Sequence, residues 1–317
     1  MKLNQRPFQT EEDYWAIREF LREVYLQNGR REYSWAVARL DYWRGHVVAN
    51  CGAPPIEEGI FLWTREDGRI VAVLNREDAG HAYFQVDPRF RTPELEEEML
   101  CLAEERLTTI GSSSGRPVLV VGLREGDTLR EEILRRRGYE PRPDSQAYDR
   151  YRDLSLPIPE VAPPAGYTIR PMTLEDIPSR SWASWRAFHP NEPDEDYEGH
   201  DWYASIMRTP LYRRDLDLVA ADQSGAVVAF CTVWLDDVTR SGCFEPVGTM
   251  PEHQRRGICN ALLHEGMRRL RERGATQACL GGGGKSNPPA DGVYSKALGG
   301  DQDSYVFWLK SMDGKPE

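Results

Sequence analysis

CFEPVGTMPEHQRRGICNALLHEGMRRLRERG, residues 243–274, is the stretch from which this chain can be read. A short apolar run ends at Met250-Pro251, and a charged turn follows from Glu252 to Gly257. Ile258, Ala261, Leu262, Leu263, Met267 and Leu270 then recur at helical spacing until Gly274 stops the run. The pattern is strand, basic glycine-containing turn, helix. The start of a helix presents about four unpaired N–H groups and a partial positive charge. Gly257 allows a close backbone approach, and Arg255 and Arg256 add full charges. A corner of this kind suits a pyrophosphate, held by the amides of residues 255–260, including those of Ile258, Cys259 and Asn260.

Composition sets the limits. At 317 residues, about two domains are expected. Hydrophobic residues make up 40% and aromatic residues 10%, enough for real cores. No segment approaches the roughly 20 apolar residues that cross a bilayer. MKLNQRPFQTEEDYW has no apolar export core, so a cytoplasmic location and reduced thiols are expected for the six cysteines, none of which form a CxxC pair. The six histidines form no HxxxH or HExxH pattern, and no metal site is expected. A net charge of −11 speaks against nucleic acid or an anionic membrane as the main partner. It suits a cationic small molecule.

In chain order, residues 11–28 have helical spacing, and a second helical stretch, rich in Trp and Tyr, covers about 33–44. EGIFLWTREDGRIVAVLNRE reads as a hairpin around Asp67-Gly68. A strand at 81–88, a helix at 93–109, a buried strand at 118–123, a helix at 128–137 and a strand at 146–154 follow. SLPIPEVAPPAG, residues 155–166, holds four prolines and reads as an extended linker. The order then repeats. A strand (167–171) leads to helices near 173–187 and 197–208, then a hairpin (216–237) and a strand (242–250). After the turn come a helix (258–273), a strand (275–281), a short helix near 288–297 and a strand (303–310). Two halves with one element order suggest a tandem duplication, with domains at 1–157 and 165–317. Antiparallel hairpins mixed with helices make each half α+β.

With those elements placed, the second half resembles the GNAT superfamily of acetyl-CoA-dependent N-acyltransferases. That family's turn, Gln/Arg-x-x-Gly-x-Gly/Ala, is matched by Gln254-Arg255-Arg256-Gly257-Ile258-Cys259, with Cys259 in place of the second small residue. Asn287, Ala290, Val293 and Tyr294 match the later Asn-x-x-Ala and aliphatic-Tyr pair. After Tyr294 the sequence SKALGG departs from the family spacing. The resemblance covers about 165–310 and implies two tandem GNAT-like domains, each a mixed, mostly antiparallel sheet flanked by helices. The first half follows the pattern without the chemistry. Its counterpart turn, VDPRFRTPE (86–94), has no glycine, and Glu94, Glu96, Glu97 and Glu98 crowd the helix start. It reads as a degenerate domain without a CoA motif.

Acetyl transfer to an amine makes three demands. Phosphates need donors, for which the resemblance adds Asn287 to the corner. The thioester carbonyl needs polarisation. In the family, a splayed strand exposes N–H groups for this, at the place of Val247, Gly248 and Thr249, and one such donor contributes roughly 3–4 kcal/mol in comparable sites. Protons must also move, because an alkyl amine with a pKa of about 10.4 is almost fully protonated at neutral pH. Glu245, a carboxylate two residues before Val247 in an apolar run, is the candidate base; Asp236 and Asp237 are alternatives at a hairpin end. The family match makes Tyr294 the candidate acid for the departing thiolate.

Between the first strand and the hairpin, Glu192, Asp194, Glu195, Asp196, Glu198 and Asp201 interleave with Trp182, Trp185, Phe188, His189, Trp202 and Tyr203. Acid plus aromatic could receive a cation, such as a polyamine or aminosugar; a solvated charge run over core aromatics is the plainer alternative. CLGGGGKSNPP (279–289) approaches a P-loop, but Cys279 stands at its first position and Pro288-Pro289 crowd Lys285-Ser286. Lys285 could still touch a phosphate. The expected protein is therefore an enzyme that uses acetyl-CoA as co-substrate and a small amine as acceptor, with a homodimer compatible. The alternative is a non-catalytic acyl-CoA-binding or protein-interaction module on the same fold.

Overall fold

In the computed structural model, residues 2–111 and 115–313 are described. The chain forms two compact units. The first runs through Tyr148 and adds Gly284–Ser286 and the chain from Asp303; the second holds Asp149–Gly283 and Asn287–Gln302.

The first unit starts with β1 (Asn4–Pro7), α1 (Glu11–Gln27), α2 (Val37–Tyr42) and α3 (Ile56–Gly59). A meander follows: β2 (Ile60–Thr64), β3 (Ile70–Asn75) and β4 (His81–Val86). Then come α4 (Pro93–Arg106), β5 (Thr109–Ile110), β6 (Pro117–Arg124), α5 (Thr128–Arg136) and β7 (Glu140–Asp153), whose last residues belong to the second unit. Alternation along the strands feeds two cores. Ile60, Leu62, Ile70 and Val73 pack with α1 and α2, whereas Phe61, Trp63, Val71 and Leu74 pack with Met99 and Leu100 of α4.

The second unit contains β8 (Thr168–Pro171), α6 (Ile177–Phe188), α7 (Tyr203–Met207), β9 (Asp217–Ala221), β10 (Val227–Asp236) and β11 (Ser241–Thr249). It continues with α8 (Ile258–Glu272), β12 (Gln277–Gly282) and α9 (Pro288–Leu298). The sheet order is β12-β11-β10-β9-β8. The pairs β8-β9, β9-β10 and β10-β11 are antiparallel, and β11-β12 is parallel. Its core joins Cys231, Val233, Leu235 and Phe244 to Ile258, Leu262, Met267 and Leu270.

Both units repeat one plan, a meander of three antiparallel strands, a helix, a strand parallel to the third, and a second helix. Two sequence expectations change. The last strand, β13 (Gln302–Ser311), was expected with the second half; from Asp303 it counts with the first unit, because Tyr305–Ser311 pair antiparallel with Val118–Arg124 of β6. The helix expected over 197–208 shortens to α7, preceded by a single 3-10 turn at Asp194–Asp196. Gly199 at φ 95° and the solvent-exposed acids before it leave no apolar face for a longer helix. No helix among the described residues is long and apolar enough to cross a membrane.

Candidate active site

The parallel pairing of β11 with β12 covers only Ser241–Cys243 against Gln277–Cys279. Beyond Cys243 the two strands part, while β11 stays paired with β10 as far as Thr249. The edge of β11 is thus open where carbonyl-polarising amides are expected. The N–H of Met250 donates to Val228 O at 3.0 Å, on the β10 side. Alternation of an antiparallel ladder then turns the Gly248 amide toward β10, and the Val247 and Thr249 amides toward the splay. Gly248 serves by absence of a side chain, since it faces Phe230 across the pair.

Glu245 lies in a bulge. Cys231 pairs with Val247 but Val233 with Phe244, so β11 carries one extra residue there. The simple alternation that put Glu245 and Val247 on one face is interrupted: Phe244 and Val247 both pack into the core shared with α8. Glu245 is half-buried, and its backbone carbonyl accepts from Trp234 Nε1. It still lies within electrostatic reach of Tyr294.

Tyr294 sits half-buried on α9. Burial, then Cys259, Cys231 and Glu245, push its phenol well above the ordinary range, opposed by Arg150. It therefore keeps its proton at neutral pH, as an acid must. Cys259, one residue into α8, is also pushed up by burial, to about 12. Its thiol stays protonated, which makes a poor nucleophile.

The corner is built as an anion seat. Arg255 and Gly257 both have positive φ, 59° and 85°. Gly257 is the N-cap of α8 and no side chain caps that end. Successive amides in such a turn, ahead of a helix whose first turn carries no acid, form a concavity for anions. Gln254 Nε2 donates to Thr249 O at 3.2 Å and ties the turn to the end of β11. Arg256 Nη1 donates to Tyr167 Oη at 3.0 Å and Nη2 to Glu252 O at 2.9 Å, so it braces the loop. Arg255 is exposed and pairs with no acid among the described residues. Ile258 is buried and offers only its amide. Asn260 Oδ1 and Thr249 Oγ1 are buried without partners among the described residues, so a ligand group could satisfy them. Asn287 acts as the N-cap of α9, accepting from the Ala290 N–H at 3.3 Å. Lys285 is exposed ahead of that helix.

Two groups escaped the sequence reading. Arg150, on β7, has a side chain 2% exposed and donates to Asp291 Oδ1 of α9 at 2.5 Å. Under the sheet, Asp217 accepts from Tyr203, from Tyr212 at 2.9 Å and from Thr232 at 3.1 Å, and Arg180 Nε lies 3.7 Å away. The Arg180 guanidinium covers the Phe230 ring at 3.8 Å. An isolated arginine on a helical apolar face gave no signal, because its acid partner lies 37 positions later in the sequence.

Glu192, Asp194, Glu195, Asp196, Glu198 and Asp201 are all exposed. Trp182, Trp185 and Tyr197 pack on one another at centroid distances of 5.1–5.7 Å, and His189 stacks on Trp185. Tyr203 is core, and Trp202 lies edge-on to it. Phe188 reaches the Phe230 ring, 6.1 Å away, at the strand pair carrying Gly248.

Comparison with known proteins gives the same fold. Residues 174–299 match the Acetyltransferase (GNAT) family. No curated protein matches the sequence. A GCN5-related N-acetyltransferase from Sphaerobacter thermophilus superposes with a TM-score of 0.67 at 20% identity, covering 98% of this chain and 95% of its own. A tandem GNAT protein from the clavulanic acid biosynthesis pathway gives 0.65 at 16% identity over 100% of both chains. A GNAT-family acetyltransferase from Colwellia psychrerythraea gives 0.59 at 11% identity, covering 97% and 100%. At such identities these likenesses carry the fold alone.

Proposed function

Because residues 174–299 form a GNAT acyltransferase domain within a tandem GNAT-like fold, we propose that this enzyme moves an acetyl group from acetyl-CoA to the primary amine of a small cationic molecule, by direct attack on the thioester. The observation that carries this reading is the open edge of β11, which bears Glu245 and runs to the uncapped start of α8, with a protonated Tyr294 on α9. A binding module has no need of a carboxylate and a protonated phenol at that spot.

The corner from Gln254 to Asn260 receives the diphosphate, with Arg255 free to add charge. The amides of Val247 and Thr249 meet the thioester oxygen as it gains charge. Glu245 takes one proton from the ammonium, the amine then attacks, and its nitrogen sheds a second proton as the amide forms. The carbon–sulfur bond breaks with its electron pair on sulfur, and Tyr294 gives that sulfur its proton. The protonated thiol of Cys259 favours direct attack over an acyl-cysteine relay. Exposed acids from Glu192 to Asp201 support a cationic acceptor by field rather than by contact.

Release of free CoA thiol, measured across an amine panel, tests the proposal. Spermidine and glucosamine should outpace neutral and acidic amines. Preference for an acidic amine, or thiol release with none of the panel, would overturn it.

A further inference from the structure

Arg150 stands apart from the GNAT-matched residues, on the strand that precedes the proline-rich linker. Its side chain is 2% exposed. One nitrogen donates to Asp291 Oδ1 at 2.5 Å and another to Gly282 O at 3.4 Å. Gly282 ends β12, one arm of the splay. Asp291 lies three residues before Tyr294 on α9, so the two share a helix face. Glycines clear the way for this junction. A Cβ on Gly283 would lie 2.9 Å from Asp291 Cα, and one on Gly281 would lie 2.9 Å from Asp149 Oδ1.

We propose that Arg150 is a positioning residue for Tyr294, locking the first turn of α9 to the end of β12 and placing a fixed cation beside the charge that forms when the phenol gives up its proton. The proposal rests on Tyr294 being the acid. When the amine nitrogen bonds to the carbonyl carbon and the carbon–sulfur pair leaves on sulfur, the phenol proton moves to that sulfur and a negative charge appears on the tyrosine oxygen. The first proton lost by the ammonium, held on Glu245, passes to solvent, and the second, shed by the nitrogen as the amide forms, restores the phenol. Arg150 holds Asp291, one helical turn before Tyr294, while that charge forms. Arg150 opposes the upward push on the Tyr294 phenol. The remaining groups around that phenol, Cys231, Cys259 and Glu245, all act against ionisation, so Arg150 alone among them favours it.

The test needs no acceptor. The thiol of bound CoA is titrated by its thiolate absorbance against a desulfo-CoA blank, in the full-length wild type and in Arg150→Met, Arg150→Lys, Asp291→Asn, Tyr294→Phe and the Arg150→Met/Tyr294→Phe pair. Arg150→Met should raise the bound thiol pKa by about one unit and change CoA affinity less than about 3-fold. Arg150→Lys should restore it, and Asp291→Asn, half-exposed and tolerant of change, should shift it in the same direction by less. In the Tyr294→Phe background the Arg150→Met shift should vanish. An undiminished shift in that background, or lost affinity without any shift, means Arg150 only packs, and overturns the proposal. If Tyr294→Phe alone leaves the bound thiol unchanged, the acid assignment itself falls. If CoA gives no signal in the wild type, both fall.

Discussion

Gly248 and Phe230 face each other across β10 and β11 so closely that a Cβ on Gly248 would sit 2.3 Å from Phe230 Cζ. The Phe230 ring is pinned from behind by the Arg180 guanidinium and at its side by Phe188, so it has no room to yield. Gly248→Ala should therefore cost about 1–3 kcal/mol by overpacking. Thermal unfolding should show it, and Phe230→Leu/Gly248→Ala should cost less than the sum of the two single changes. Additive losses would mean the pair is not coupled.

Gly257 poses the opposite case. A Cβ there meets nothing within 4 Å, and only its φ of 85° demands glycine. Gly257→Ala should cost roughly 1 kcal/mol of stability and little else. Gly257→Glu should cost about the same stability but abolish acyl-CoA binding, since it sets a carboxylate at the proposed diphosphate seat. Calorimetric heat on adding CoA separates the two; equal heats for both variants would remove the corner from the site.

Of the two corner arginines, Arg255 is exposed and pairs with no acid among the described residues, whereas Arg256 is spent on Tyr167 and Glu252. Arg255→Ala should weaken CoA by roughly 5- to 10-fold, an effect that shrinks with added salt. Arg256→Ala should also lower the melting temperature, because the loop loses its brace. A salt-insensitive loss in Arg255→Ala would argue that its charge does not act on the ligand.

The corner and the meander were legible because each is local: a glycine at positive φ, a run of apolar residues at one period, an Asp-Gly turn. Tyr294 was singled out only through its motif. What the sequence hid was of two kinds. The bulge at Glu245 leaves no mark that alternation can detect, as one inserted residue changes register without changing composition. Arg150 and Asp291 meet across 141 residues, and Arg180 and Asp217 across 37; pairs so distant are fixed by the completed sheet.

In the first unit, Glu96 is 2% exposed and bonds Arg91 and Arg130. Burial raises its carboxyl, but the two guanidinium groups outweigh it and hold the pKa at about 2, below the ordinary 4.5. A depressed carboxylate contributes stability above its unfolded pKa and loses it as pH falls through the folded one. Wild-type stability should therefore decline between about pH 4.5 and 2 through this group. Glu96→Gln should lose about 3 kcal/mol at pH 7 and show a flatter acid limb. Parallel acid limbs in denaturant titrations would contradict the assignment.

The same network fills the place in the first unit that corresponds to the corner of the second. In the first unit β4 pairs with β6 only at His81 and Ala82 and then parts from it, as β11 parts from β12. Asp87 N–H returns to Val71 O as Met250 N–H returns to Val228 O, which makes Val86 the counterpart of Thr249. Here, however, the amide is taken. Val86 N–H donates to Ser34 Oγ at 3.2 Å, and Trp35 N–H to Gln85 Oε1 at 2.7 Å, so the segment before α2 lies along the opened edge. At the helix start Thr92 caps Leu95 N–H, and Glu96 with Asp127 absorbs Arg91 and Arg130. These bonds occupy groups that a phosphate or thioester would use, and a second ligand would have to break them. Native mass spectrometry of the full chain with excess acetyl-CoA should show one molecule bound, and Gly257→Glu should reduce it to none. Two bound molecules, or one surviving Gly257→Glu, would show that the first unit has kept a working cleft.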